Sequence, residues 1–145
     1  LTTILLDSNE ATEAVGANLW RQLPPKCLVF LHGPLGVGKT TLVRGLLRAA
    51  GYTGAVKSPT YTLVEEYRLG ERCLFHFDLY RLSDPEELEW MGIRDYLAQD
   101  GLCLIEWPEM GAGFLPEADL ALFLSVHGKG RALTFCTKQP ELKKL

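Results

Sequence analysis

Apolar positions along this chain alternate between two spacings, and their order sets the expected fold. Thr3 to Leu6 reads as a short strand. Ala11, Val15, Leu19 and Leu23 then recur every four residues, which draws one apolar stripe along a helix. Asp7 with Glu10 forms a D-x-x-E capping box that would open this helix, and Pro24-Pro25 would close it. Cys27 to Leu31 is continuously apolar between turn residues, the pattern of a strand buried on both faces. A glycine-rich turn follows. Thr41, Leu42, Val43, Leu46, Leu47 and Ala50 then predict a second helix, with Gly51 as its C-terminal cap.

The segment around Lys57, Ser58 and Pro59 reads as a loop. Tyr61 to Leu69 and Arg72 to Tyr80 read as strands joined by a tight turn at Gly70-Glu71. Asp84-Pro85-Glu86-Glu87 is a helix start, with proline at the first helical position and acids that complement the helix dipole. Leu102 to Ile105 is a second short buried strand and ends at Glu106. Leu120 to Val126 and Arg131 to Thr137 form a hairpin around His127-Gly128-Lys129-Gly130, and residues 139–145 read as a frayed tail. Strands interleaved with helices indicate an α/β protein, and the two hairpins add antiparallel strands. The expected architecture is one domain over residues 1–145, with a mixed, largely parallel sheet flanked by helices.

Composition narrows the function classes. Of 145 residues, 47% are apolar and 23% charged, which is enough for one sizeable core. A net charge of -3 argues against a free-standing nucleic-acid binder, which would carry a basic face, but leaves room for RNA contact inside a larger assembly. Cys27, Cys73, Cys103 and Cys136 contain no C-x-x-C pair, so buried free thiols are expected rather than zinc ligands or disulfides. His32, His76 and His127 show no metal spacing. No stretch is long enough to span a membrane, and the first residues lack a secretory pattern. A reduced, cytoplasmic setting fits these features.

Chemistry enters at Gly33-Pro34-Leu35-Gly36-Val37-Gly38-Lys39-Thr40, which satisfies G-x-x-x-x-G-K-[ST] at every fixed position. An apolar strand precedes it and an amphipathic helix follows. The glycines permit backbone angles that other residues resist, so successive amides and the helix N-terminus can cradle phosphate. Lys39 would reach the β- and γ-phosphates, and the Thr40 hydroxyl would be one magnesium ligand. The expected nucleotide contacts are Gly33, Leu35, Gly36, Val37, Gly38, Lys39, Thr40 and Thr41. Such a site needs an acid at the end of a neighbouring strand to hold the metal. Asp78 and Glu106 both qualify, since each ends an apolar run. ATP is favoured over GTP, because the guanine-reading N-K-x-D and the D-x-x-G switch are both missing; the nearest match to the latter is Asp78-Leu79-Tyr80-Arg81.

From Gly33 to Pro108 the sequence resembles the bacterial TsaE family, formerly called YjeE. The resemblance lies in GPLGVGKTTLVRG from Gly33, VKSPTYTLVEEY from Val56, HFDLYRL from His76, DPEELEWMGIRDY from Asp84 and LIEWPE from Leu104. It continues more weakly at Glu10-Ala11-Thr12, Leu115-Pro116 and Gly130-Arg131. The resemblance implies a small cytoplasmic ATPase using magnesium. It would sustain turnover of the TsaB–TsaD pair as TsaD transfers a threonylcarbamoyl group to the adenosine beside the anticodon. The tRNAs concerned read codons beginning with A. By the same resemblance Lys39 and Thr40 are the phosphate and magnesium residues, Glu106 the second magnesium residue, and Asp78 a residue of hydrolysis. Ser58-Pro59-Thr60-Tyr61 looks like a first switch, and the segment from His76 to Arg81, with Tyr80, like a second. Thr12 would line the adenine pocket. Trp107 packs near the nucleotide, meets a partner or fills the core; Arg131 reaches the nucleotide or stands in solvent. Two other readings use the same motif: a small-molecule kinase, which needs an acceptor pocket, and a nucleotide-dependent switch that barely hydrolyses.

Overall fold

Alternation along the strands decides which side of the sheet each residue serves. On β4 (Arg72–Asp78) and β5 (Leu102–Glu106), Leu74, Leu102 and Leu104 pack on one face, while Phe75, Phe77, Cys103 and Ile105 pack on the other. The computed structural model describes residues 2–142. The remaining strands are β1 (Thr2–Leu6), β2 (Cys27–His32), β3 (Val64–Leu69), β6 (Leu120–His127) and β7 (Gly130–Cys136). Among the described residues these seven form one sheet in the order β1-β7-β6-β2-β5-β4-β3. The centre, β6-β2-β5-β4, is parallel; the hairpin strands β3 and β7, then β1, extend the two edges by antiparallel pairing. This is the mixed α/β sheet that the hydrophobic pattern predicts.

Helices α1 (Asn9–Gln22) and α2 (Lys39–Ala49) cover one face, and the short helices α3 (Glu87–Trp90) and α4 (Ile93–Ala98) lie on the other. The first two pack backbone to backbone. A Cβ at Gly16 would overlap the Leu42 carbonyl oxygen, and one at Gly45 would overlap the Glu13 carbonyl oxygen. The glycines are there because the crossing leaves no room for a methyl group. In an isolated helix Gly→Ala stabilises by up to about 1 kcal/mol. Here the sign should reverse. Gly45→Ala is expected to lower the unfolding free energy by about 1–3 kcal/mol, the usual cost of overpacking. Urea melts of the two proteins measure it, and an unchanged or raised midpoint would contradict the close crossing.

Local details differ from expectation, each for a visible reason. Ser8, not Asp7, caps α1: its backbone is extended and its hydroxyl accepts from the Ala11 amide at 3.1 Å. The most buried positions of that helix are Thr12, Gly16 and Leu19, so the stripe is rotated toward the glycine crossing. Strand β3 starts at Val64 instead of Tyr61, because the Leu63 amide donates to the Pro59 carbonyl at 2.8 Å and closes a turn first. Regular helix begins at Glu87 rather than Pro85; the Glu87 carboxylate accepts from the Ser83 and Asp84 amides and shapes the turn before it. Residues 139–142 are not frayed: Pro140–Leu142 is a 3-10 turn whose Leu142 joins the core, while 143–145 lie outside the described residues. All four cysteines are free. Burial raises the Cys27 and Cys103 thiols to about 12, whereas Cys73 is half-buried and Cys136 is exposed, contrary to the expectation of four buried thiols. Cys136 is the last residue of β7, which runs between β1 and β6.

Candidate functional site

The parallel strands point their C-terminal ends in one direction, and the chain places its polar residues there. Open α/β sheets bind ligands at this end. The Gly33–Thr40 loop leaves β2 and winds directly into α2. Gly36 and Gly38 have φ of 74° and 111°, left-handed values that L side chains rarely adopt, and Gly38 is the N-cap of α2. Nothing lies within 4 Å of a Cβ placed at Gly36, so backbone angle rather than crowding explains that glycine.

Two strand-end acids face this loop. Asp78 on β4 stands in register with Glu106 on β5, and both are 4% exposed. Lys39 is 5% exposed; its ammonium donates to the Gly33 carbonyl at 2.6 Å and lies 3.6 Å from Glu106 Oε1. The Trp107 ring sits 4.4 Å from the same nitrogen. Trp107 adopts φ 56°, a backbone position that costs about 1–2 kcal/mol for a non-glycine residue. Its indole meets Tyr80 edge to face, with ring centroids 4.9 Å apart. Trp107 is thus part of the site's wall and is only half-buried.

Asp78 ties the two switch-like segments together. Its Oδ2 accepts from the Thr60 hydroxyl at 3.1 Å, and its Oδ1 accepts from the Tyr80 amide at 2.9 Å. Its own amide donates to the carbonyl of Leu63, which has φ 69°. The Ser58 hydroxyl lies 2.7 Å from that of Thr60, and Pro59 is buried beneath them. Further out, Arg81 stacks on the Tyr61 ring at 4.3 Å and donates to its hydroxyl at 3.1 Å.

Two clefts open from the loop. Leu35, Lys39, Thr40, Ser58, Thr60, Asp78 and Glu106 line the first, of about 260 Å³. Thr12, Val37, Lys129 and Arg131 contribute to the second, of about 160 Å³. Gly36, Gly38 and Thr41 border both, so the clefts meet across the loop. Arg131 is not free in solvent. Its Nε donates to the Val37 carbonyl at 2.9 Å and its Nη1 to the Gly130 carbonyl, pinning the β6–β7 hairpin to the loop.

Sequence spacing gave no signal for two histidines at this site. His76 Nε2 lies 2.6 Å from Glu106 Oε2, and its ring is fully buried. Only strand order could have revealed the pair, because 30 residues separate them. His32, at the foot of the loop, stacks on Phe123 with ring centroids 4.4 Å apart and lies 3.6 Å from the Glu109 carboxylate. Burial pushes the His32 pKa down, Glu109 opposes the shift, and Lys39 adds to it.

Loop, helix and strand order together are those of the P-loop class of nucleotide-binding proteins. The comparisons narrow the class. The family model described as "Threonylcarbamoyl adenosine biosynthesis protein TsaE" matches residues 6–133, and the chain belongs to the TsaE family. A Haemophilus influenzae protein named tRNA threonylcarbamoyladenosine biosynthesis protein TsaE is 59% identical over 104 residues, which are 72% of this chain and 66% of that protein. The Bacillus subtilis protein of the same name is 35% identical over 127 residues, 87% of this chain and 79% of its own length. The crystal structure of YdiB from Bacillus subtilis aligns with a TM-score of 0.82 at 26% identity, covering 99% of this chain and 89% of that one. Among the described residues no helix is long and apolar enough to cross a membrane.

Proposed function

We propose that this chain binds ATP with magnesium across the two clefts and hydrolyses it in the cytoplasm. The ATP cycle supports the TsaB–TsaD pair in threonylcarbamoylating the adenosine beside the anticodon of tRNAs that read codons beginning with A. The observation that carries this reading is the meeting of Lys39, Thr40, Asp78 and Glu106 in one cleft on the loop. Any tRNA contact arises within that complex, as the negative net charge suggests.

The donor set fits the ion. Thr40 offers a hydroxyl and Glu106 a carboxylate, both hard oxygen donors of the kind magnesium prefers. Among the described residues no cluster of three or more His, Cys, Asp and Glu forms an all-protein cage. Magnesium commonly uses one or two carboxylates plus substrate phosphates. When bound, the ion would offset charge on the β- and γ-phosphates. The chain's own residues do the rest. Loop amides from Gly36 to Thr41 bind phosphate, and Lys39 exchanges the Gly33 carbonyl for a phosphate oxygen. Asp78 orients the attacking water and accepts its proton. Thr12, Val37 and Arg131 border the nucleoside side.

Leu35, Tyr61, Tyr80 and Arg81 are exposed beside the phosphate cleft, which suits a protein surface better than a small phosphoryl acceptor. Slow hydrolysis alone and faster hydrolysis with purified TsaB–TsaD are the expected results, because lone P-loop domains often need a partner to complete the site. Steady-state phosphate release with and without the pair tests it. Equal rates, under conditions where binding is demonstrated, would count against the proposal.

A further inference from the structure

His76 and Asp78 are two residues apart on β4 and project from the same face; Glu106 projects beside them from β5, opposite Asp78. His76 therefore reaches Glu106 on the diagonal, and its Nε2 lies 2.6 Å from Oε2. A carboxylate has only acceptors to offer, so the short contact places the ring hydrogen on Nε2. The other nitrogen, Nδ1, is buried with no partner. A bare acceptor is tolerated there more readily than an orphaned N–H. Tautomer and orientation thus agree.

The contact divides the labour of the two Glu106 oxygens. Oε2 is taken by His76, while Oε1 faces Lys39 at 3.6 Å, and both Glu106 and Lys39 line the phosphate cleft. The terminal torsion of a glutamate is broad, so without a fixed partner the carboxylate turns freely. Its natural target would then be the Lys39 ammonium.

We propose that His76 is a positioning residue: it holds the Glu106 carboxylate so that Oε1 is presented to the magnesium of the bound nucleotide instead of closing onto Lys39. This rests on the ATP–magnesium reading above. His76 itself touches neither phosphate nor metal. Partners that orient a metal-bound carboxylate typically contribute 10- to 100-fold to metal affinity.

The test compares His76→Gln with His76→Asn. The Gln amide nitrogen overlays imidazole Nε2 and keeps the donor to Glu106; the Asn amide nitrogen overlays Nδ1 and does not reach. The readout is binding of a fluorescent ATP analogue, expressed as affinity in magnesium divided by affinity in EDTA, with thermal melts confirming the fold. His76→Asn is expected to lower this ratio about 10- to 100-fold while His76→Gln stays within about threefold of wild type. An Asn variant with the wild-type ratio, or equal losses in both variants, would overturn the inference. A packing role alone would shift both affinities together and leave the ratio unmoved. The wild-type protein also gives a reading that needs no variant: nitrogen NMR should show His76 as the Nε2–H tautomer, and the Nδ1–H tautomer would overturn the assignment. A wild-type protein indifferent to magnesium would instead remove the ATP–magnesium reading, and this inference with it.

Discussion

Asp78→Asn is expected to bind ATP–magnesium and the TsaB–TsaD pair as the wild type does, yet to support only about one round of tRNA modification per TsaD. The substitution keeps size and most hydrogen bonding. The Asn carbonyl can still accept from the Tyr80 amide, and Thr60 can turn its hydroxyl to accept from the new amide and donate to Ser58. Fold and binding are therefore preserved. On the proposed mechanism the lost element is the negative charge that would orient water and take its proton, worth typically 100- to 10,000-fold in rate. Hydrolysis should slow by at least about 100-fold. Without hydrolysis the contacts from γ-phosphate to the Ser58–Tyr61 and Asp78–Arg81 segments persist, and the complex does not reset. Modified tRNA per TsaD over time measures this, beside partner affinity with ATP and with ADP. Normal multiple turnover by Asp78→Asn would sink the mechanism and leave the nucleotide-site assignment standing.

Lys39→Met should weaken ATP binding by about 100-fold, as expected when one or two hydrogen bonds to a charged group are lost at 1.5–3 kcal/mol each. Methionine preserves the chain length and the contact with Trp107 but carries no charge. The nucleotide-free protein should also be less stable, by about 1–3 kcal/mol, because the buried Glu106 carboxylate is left with His76 alone. Wild-type protein should gain about 2.7 kcal/mol at a hundredfold excess of ATP over Kd. At the same ATP concentration the variant should show little of that gain. Isothermal titration and thermal melts with and without ATP–magnesium read both effects. An affinity within threefold of wild type would remove Lys39 from the phosphate site.

The parts legible in the sequence were those written locally. Gly33–Thr40 is contiguous, and the angles its glycines adopt follow from residue type. Asp78 and Glu106 were visible as acids closing apolar runs, and the parallel centre of the sheet explains why both end beside the loop. Contacts that depend on strand order were hidden. The His76–Glu106 pair requires β4 to lie next to β5, and the Arg131–Val37 bond spans 94 positions along the chain. Boundaries failed where a side chain or turn outcompeted the periodic pattern: Ser8 captured the Ala11 amide before Asp7 could serve as cap, and the Pro59–Leu63 turn displaced the start of β3. The C-terminal turn was missed because Asp119 recruits it from a distance, accepting from Gln139 at 3.1 Å.

The glycine crossing of α1 and α2 bears on how a bound nucleotide would leave. Thr12, on α1, borders the smaller cleft, while Lys39, Thr40 and Thr41, on α2, border the larger one. Gly16 and Gly45 bring the two backbones into direct contact, so both walls are built on one close-packed helix pair. Parting that pair to free a bound nucleotide would break the closest helix packing in the fold. Outside that pair, the Lys57–Leu63 loop on the larger cleft is held to the rest by a few exchangeable hydrogen bonds, whereas Gly130 and Arg131 on the smaller cleft are paired into the sheet through β7. On the ATP reading, departure of spent nucleotide would be governed at the Lys57–Leu63 margin, with the α1–α2 floor standing still.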